Sequence, residues 1–121
     1  MRILVVEDNS LIREFVVEAL RNEGHHVIEA GNGEEAVAWC KRKVAEALVT
    51  DIQLPSTMDG WQIAERCREH DPDLAVIYVT GYSPVGARPV PGSRSLRKPY
   101  TPEEVIKVLD QMVGDRGAAS S

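Results

Sequence analysis

Five side chains that could act together in chemistry stand directly after short apolar segments of the chain. Glu7 and Asp8 follow the first segment, and Asp51, Thr80 and Lys98 each follow a later one. Carboxylates that meet at one place repel one another, so they either shift their pKa values or recruit a cation. Mg²⁺ uses one or two carboxylates and leaves positions for phosphate oxygens, while a lysine and a hydroxyl donate to the charge of a transferring phosphoryl group. Together these residue types predict phosphoryl transfer to a carboxylate.

The elements around these residues explain why they would meet. Short apolar runs alternate with segments whose apolar residues recur at helical spacing, which is typical of an α/β fold with a parallel sheet covered on both faces. The carboxyl ends of such strands share one edge, where ligands bind. Singly, each of the five residues could be a cap, a turn residue or a surface charge, but on one edge they indicate a site. The predicted strands cover 3–6, 26–30, 47–50, 74–79 and 95–97.

The segment between the fourth and fifth predicted strands departs from this alternation. Residues 83–93 contain three prolines and two glycines. An interior proline costs a helix about 3 kcal/mol, so a loop is predicted there. Thr101 and Glu104 form a capping-box pattern around Pro102, which predicts the start of the last helix. We expect the domain to cover 1–113 and residues 114–121 to form a disordered tail.

The composition excludes several classes of function. A chain of 121 residues has room for one domain, and 19 acidic against 14 basic residues give a net charge of −5. That charge is not typical of proteins that bind nucleic acid or anionic membranes directly. Cys40 and Cys67 lie in helix-like apolar patterns, which favours two buried free thiols over a disulfide. Because the residues after Met1 show no signal-peptide pattern, we expect a protein of the reducing cytoplasm.

The sequence resembles the receiver domain of two-component response regulators. The resemblance extends from Arg2 to about Val113 and depends on five motifs that occur in order. It implies a flavodoxin-like, doubly wound five-stranded parallel sheet of order 2-1-3-4-5, here with the fourth helix short or missing. The motifs are Glu7-Asp8, Asp51 with Pro55, Met58-Asp59-Gly60, Thr80-Gly81 and Lys98-Pro99.

The resemblance also implies what each acidic residue does. Asp51 would be the phosphoacceptor. Asp8, Asp51 and the backbone carbonyl of Gln53 would bind Mg²⁺ directly, and Glu7 would act on the metal through a bound water.

The remaining site residues and the partners follow from the same resemblance. Lys98 would pair with the phosphoryl group, Thr80 would sense it, and the Lys98-Pro99 bond would be cis, as X-Pro bonds tolerate. The phosphodonor would be a histidine kinase or a phosphotransfer protein. The output would be a downstream protein or a homodimer that uses the fifth strand and the last helix. Such a domain signals and is not an enzyme that turns over a separate substrate.

Two further features depart from the family pattern. The loop between Asp51 and Asp59 is one residue longer than usual, and Ser95 stands where the family often has an aromatic residue. The ligands stay in place, but a buried ring at position 95 cannot carry the signal.

Two functions of other classes fit the sequence less well. A haloacid-dehalogenase-like phosphatase also uses an aspartate nucleophile, but it needs a second aspartate two residues later, where this chain has Gln53. A flavodoxin-like FMN binder cradles a phosphate in its first loop, where Glu7 and Asp8 would repel it. Both alternatives are therefore disfavoured.

Overall fold

The short apolar segments form the strands of one parallel sheet. In this computed structural model they are β1 (Arg2–Val6), β2 (His26–Ala30), β3 (Ala47–Asp51), β4 (Ala75–Thr80) and β5 (Arg94–Arg97). The sheet order is β2-β1-β3-β4-β5, which confirms the predicted fold. The structure describes residues 1–54, 58–81 and 87–120, the last eight of these by their backbone alone. Because β1 and β3 are neighbours, the acidic residues at their carboxyl ends lie side by side.

Helices cover both faces of the sheet. They are α1 (Ser10–Asn22), α2 (Gly33–Lys41), α3 (Gly60–His70) and α4 (Pro102–Ser120). Residues of β1 alternate between the two cores: Leu4 packs with α2 and α3, whereas Ile3 and Val5 pack with α1 and α4. Burial on both faces explains why most residues of β1 and β3 are apolar.

Side chains placed just before the helices fix where the helices begin. Asn9 Oδ1 accepts hydrogen bonds from the backbone N–H groups of Leu11 and Ile12, at 3.0 and 3.1 Å. The predicted cap before α4 is confirmed, because the Glu104 N–H donates to Thr101 Oγ1 at 3.2 Å. These caps start α1 and α4 directly after the loops that follow β1 and β5, so the loops stay short.

The connection from β4 to β5 contains no helix within its described residues 87–93. The remaining part of the predicted loop, 83–86, lies outside the described residues. Val90 is buried, and its backbone N–H donates to the hydroxyl oxygen of the buried Tyr78 at 3.1 Å. A short or missing fourth helix is thus consistent with the structure, and the hydrogen bond from Val90 to Tyr78 attaches this connection to β4.

Two expectations from the sequence differ from the structure. The backbone of α4 continues to Ser120, beyond Gly114, where a disordered tail was expected; residues 103–120 contain no proline that would end the helix. The division of the chain at residue 113 stays a prediction. The expectation of two free thiols is wrong, because Cys40 and Cys67 form a disulfide between α2 and α3. The two helices lie side by side on one face, and a spacing of 27 residues gives no local signal of that contact.

Where the chain is described, no helix is both long enough and apolar enough to cross a bilayer.

Candidate metal and phosphoryl site

Three carboxylates converge at the carboxyl ends of β1 and β3. Asp51 is the last residue of β3, and Glu7 and Asp8 directly follow β1. One oxygen from each carboxylate lies within 4.8 Å of the other two. Glu7 and Asp51 are 4% and 7% exposed, whereas Asp8 is exposed. Two buried acids and one exposed acid thus form a pocket that opens to solvent.

Lys98 brings a cation into this pocket from the end of β5. Its Nζ lies 2.7 Å from Asp51 Oδ2 and 3.6 Å from Glu7 Oε1. The backbone N–H of Lys98 donates to the carbonyl oxygen of Thr80 at 2.7 Å, and the Lys98-Pro99 peptide bond is cis. Lys98 therefore compensates part of the charge of two buried carboxylates.

Backbone groups hold the two buried carboxylates in place. Glu7 Oε2 accepts a hydrogen bond from the Asn9 N–H at 3.1 Å, and Asp51 Oδ1 accepts one from the Gln53 N–H at 3.1 Å. Arg13 in α1 donates to the carbonyl oxygen of Glu7 at 2.6 Å. The contact between Arg13 and Glu7 was not predicted from the sequence. The only available signal for Arg13 was its place on the first turns of the helix that follows the acids.

Burial and neighbouring charges change the proton affinities at this edge. Burial is the largest effect on Glu7 and raises its pKa, although the Asn9 hydrogen bond and the Lys98 charge act in the opposite direction. Burial alone would lower the pKa of Lys98, but its hydrogen bond to Asp51 and the two carboxylate charges outweigh that effect and raise it. Burial, together with the charges of Glu7 and Asp51, raises the pKa of Tyr100 to about 12. Lys98 therefore remains a cation, and Tyr100 a neutral phenol, at neutral pH.

Gly60 lets α3 start against the backbone at the end of β3. Its N–H donates to the Ile52 carbonyl oxygen at 2.8 Å, and the Ile52 N–H donates to Val79 at 3.1 Å. A Cβ at position 60 would lie 2.7 Å from the Ile52 Cα and would also overlap the Asp51 carbonyl oxygen. Position 60 requires glycine because the atoms that a Cβ would meet belong to the backbone of Asp51 and Ile52, which cannot turn aside as a side chain could.

The structure places the other predicted site residues around this pocket. Thr80 is the half-buried last residue of β4, and its carbonyl is bonded to Lys98. The Gln53 N–H contacts Asp51, while the metal-binding role expected of the Gln53 carbonyl stays a prediction. Pro55 lies outside the described residues.

The donor set fits a hard divalent cation. Carboxylate oxygens are ligands that Mg²⁺ prefers, and three of them from Glu7, Asp8 and Asp51 are near enough to share one ion or its bound waters. The described residues of this cluster contain no histidine or cysteine that would favour a softer metal.

An apolar groove of about 570 Å³ adjoins the pocket. The side chains of Leu11, Phe15 and Tyr100 line it, and Lys98 belongs to its wall as well as to the acidic site. Leu11 and Phe15 are 77% and 64% exposed, which is high for large apolar residues on a helix.

The sequence of the chain matches the family profile described as Response regulator receiver domain, over residues 3–110. The chain belongs to this family. The acidic pocket of Glu7, Asp8 and Asp51 fits the magnesium and phosphoaspartate site of a receiver domain. The phosphatase and FMN-binding alternatives are not favoured.

Named relatives agree with this assignment. The receiver domain is 34% identical to the response regulator receiver protein CpdR of Brucella abortus, with 93% of this chain and 96% of that protein aligned. It is 31% identical to the probable transcriptional regulatory protein TcrX of Mycobacterium tuberculosis, where 98% of this chain spans 52% of the relative. This chain thus spans nearly all of CpdR but about half of TcrX.

Solved structures of receiver proteins superpose closely. A response regulator receiver protein from Sinorhizobium medicae has a TM-score of 0.88 at 29% identity, with 96% of each chain covered. The response regulator TrrA of Thermotoga maritima, solved in complex with Mg(2+)-BeF, has a TM-score of 0.78 at 29% identity, with 92% of this chain and 97% of that chain covered.

Proposed function

We propose that this receiver domain accepts a phosphoryl group from a phosphohistidine of a histidine kinase or phosphotransfer protein onto Asp51. The observation that carries the proposal is the position of the Asp51 carboxylate, which lies 2.7 Å from the Lys98 ammonium and beside the carboxylates of Glu7 and Asp8. A buried acceptor with a cation and a metal-binding cluster around it suits in-line displacement at phosphorus.

The chemistry of the step follows from these groups. An oxygen of Asp51 attacks phosphorus, the bond from phosphorus to the donor imidazole breaks, and the electron pair of that bond returns to the imidazole nitrogen. Lys98 moves from Asp51 to the phosphoryl oxygens as their negative charge develops. The Thr80 hydroxyl then donates to the phosphoryl group and senses its presence.

Asp8, Asp51 and the Gln53 backbone carbonyl would hold Mg²⁺ in this proposal, with Glu7 acting through a metal-bound water. The cluster of oxygen ligands supports this assignment, and the Mg(2+)-BeF complex of TrrA supports it by analogy. Bound Mg²⁺ would supply positive charge to the phosphoryl oxygens and relieve the repulsion among the carboxylates.

The apolar groove beside the site suits docking of the phosphodonor protein. Leu11 and Phe15 are exposed, and Lys98 links the groove to the acceptor. A donor helix seated there would bring its phosphohistidine to Asp51. We expect a Leu11→Ala/Phe15→Ala variant to slow transfer from the phosphorylated donor protein by about tenfold or more. The rate with a small phosphodonor should stay unchanged, and Glu18→Ala on an exposed position of α1 is the control.

The consequence of phosphorylation would be signalling to a downstream protein, or to a second copy, through β5 and α4. β5 is an edge strand with exposed residues, and it connects directly to Lys98. The protein would act in the cytoplasm, without binding nucleic acid or membrane, and its chemistry would be limited to its own phosphorylation and dephosphorylation.

Phosphorylation with a small phosphodonor and Mg²⁺ tests the acceptor. We expect one phosphoryl adduct by intact mass on the wild-type protein, none on Asp51→Asn, and normal uptake by Asp110→Asn, which changes an exposed acid on α4. Equal uptake by Asp51→Asn and wild type would refute the assignment.

A further inference from the structure

We propose that Cys40 and Cys67 form a reversible disulfide that links α2 to α3. The bond forms when the surrounding low-molecular-weight thiols are oxidised and breaks when they are reduced. The bond joins the last turn of α2 to the second half of α3, with the two Cα atoms 5.2 Å apart, a separation normal for a disulfide. In a reducing compartment a disulfide is transient and serves to sense redox state, whereas a structural one persists in oxidising surroundings.

The position of the bond limits how a thiol can reach it. Cys67 is fully buried, whereas Cys40 is 5% exposed and lies one residue before the end of α2. The turn that follows includes Lys43 at φ 52°, a left-handed conformation that non-glycine residues rarely adopt. Fraying of this helix end would expose the Cys40 sulfur before the Cys67 sulfur.

The residues after Cys40 favour an anionic thiol as the reactant. Lys41, Arg42 and Lys43 are consecutive and exposed. Glutathione carries net negative charge, so these cations raise its local concentration at the end of α2.

The exchange proceeds in two balanced steps. A glutathione thiolate attacks Cys40 Sγ, the disulfide breaks, and Cys67 leaves as a thiolate that takes a proton. A second glutathione thiolate attacks the glutathione sulfur of the mixed disulfide, which releases Cys40 as a thiol and yields glutathione disulfide. In the reverse direction, glutathione disulfide accepts the two electrons and is reduced to two thiols.

The lock acts on α2 and α3 and leaves the phosphoacceptor in place. Gly60 and Ile52 hold the start of α3 and the end of β3 through backbone hydrogen bonds that do not involve the disulfide. Reduction should therefore increase hydrogen exchange at the end of α2 and in α3, with little change around Asp51. Because a closed loop spanning 27 residues is opened, the Tm should fall on the order of 10 °C.

Alkylation of the wild-type protein at fixed ratios of glutathione to its disulfide tests the proposal. We expect no alkylated cysteine at oxidising ratios, two at reducing ratios, a Cys40–Cys67 linked peptide in the oxidised sample, and full return on reoxidation. Two free thiols at every ratio would overturn the proposal. A disulfide that is reduced only after the protein has been denatured would also overturn it.

The Cys40→Ala/Cys67→Ala variant is the control. Each protein is measured in an oxidising and in a reducing glutathione buffer, and its two measurements are compared. Wild type should show the change in Tm and in hydrogen exchange, and the variant should show neither. Mg²⁺ affinity of the wild type should differ less than twofold between the buffers. An equal change in Tm in the variant would show that the disulfide is not the cause and would refute the lock.

Discussion

The Nζ of Lys98 donates a hydrogen bond to Asp51 Oδ2 at 2.7 Å. The two residues are 47 positions apart, and the sheet brings them together because the ends of β3, β4 and β5 lie in sequence along one edge. Lys98 also lies 3.6 Å from Glu7 Oε1, so it contacts both buried carboxylates of the site. In the proposed phosphotransfer, the same cation would balance the carboxylates before transfer and would be available to the phosphoryl oxygens afterwards.

Replacement of Lys98 by methionine should make stability depend more strongly on Mg²⁺. The variant keeps a side chain of similar length but leaves Glu7 and Asp51 without their ammonium partner. Because Lys98 is 30% exposed, we expect a loss of roughly 1–3 kcal/mol in metal-free buffer, less than for a fully buried pair.

Thermal unfolding with and without Mg²⁺ measures this effect. Mg²⁺ should raise the Tm of Lys98→Met more than that of wild type, because bound metal replaces the missing cation. Lys107→Met, on an exposed position of α4, is the matched control and should respond like wild type. An equal response to Mg²⁺ in all three proteins would contradict the role given to Lys98.

The raised pKa of Glu7 predicts opposite effects of acid on metal binding and on the metal-free fold. Burial raises this pKa above 4.5, so Glu7 takes up a proton in the folded state at a pH where it would be ionised in the unfolded chain. As pH rises from 4.5 through the raised value, the metal-free protein loses the contribution of Glu7 to its stability. As pH falls through the same value, protons compete with Mg²⁺ for the site.

Mg²⁺ titrations and unfolding curves across the acidic range check both effects. We expect the Mg²⁺ affinity of wild type to fall with pH more steeply than that of Glu7→Gln, whose amide does not titrate. Glu23→Gln, at an exposed position after α1, should retain the wild-type slope. If Glu7→Gln kept that slope as well, another group would control the pH dependence.

Gly60→Ala should strongly destabilise the protein, because its Cβ would meet the backbone of Asp51 and Ile52. Neither backbone can move without breaking the hydrogen bonds that hold β3, so we expect a cost of about 3 kcal/mol or more. Gly81→Ala is the matched control, since a Cβ there has no atom of the described residues within 4 Å. Urea unfolding compares the two, and similar midpoints would show that α3 does not need its close approach to β3.

The acidic site could be predicted from the sequence because its position depends on topology. A parallel sheet places every strand end on one edge, so Glu7, Asp51 and Lys98 meet whatever the details of side-chain packing. The strand bounds followed from apolar runs to within one residue, since both faces of the sheet are covered. The cap at Thr101 was predictable because it depends on residues only three positions apart.

Contacts that depend on how helices pack could not be predicted in this way. The Cys40–Cys67 bond needs α2 and α3 side by side at one particular rotation, and neither helix carries a local sign of it. The bond from Arg13 to the Glu7 carbonyl and the burial of Tyr100 next to two acids have the same origin. Each depends on where folding places a side chain, which for Arg13 is against a backbone carbonyl, and sequence spacing alone does not give that placement.

Tyr78→Phe should loosen the connection between β4 and β5 without disturbing the core around it. The Tyr78 ring is fully buried and packs on Trp61, with ring centroids 4.5 Å apart, and phenylalanine would keep that contact. What is lost is the oxygen that accepts from the buried Val90 N–H, which costs roughly 1–3 kcal/mol. Hydrogen exchange should therefore accelerate at Val90 and its neighbours, whereas Tyr100→Phe, which removes a hydroxyl elsewhere, should leave Val90 unchanged. If the Val90 amide exchanged as slowly in Tyr78→Phe as in wild type, another contact would hold this connection against β4.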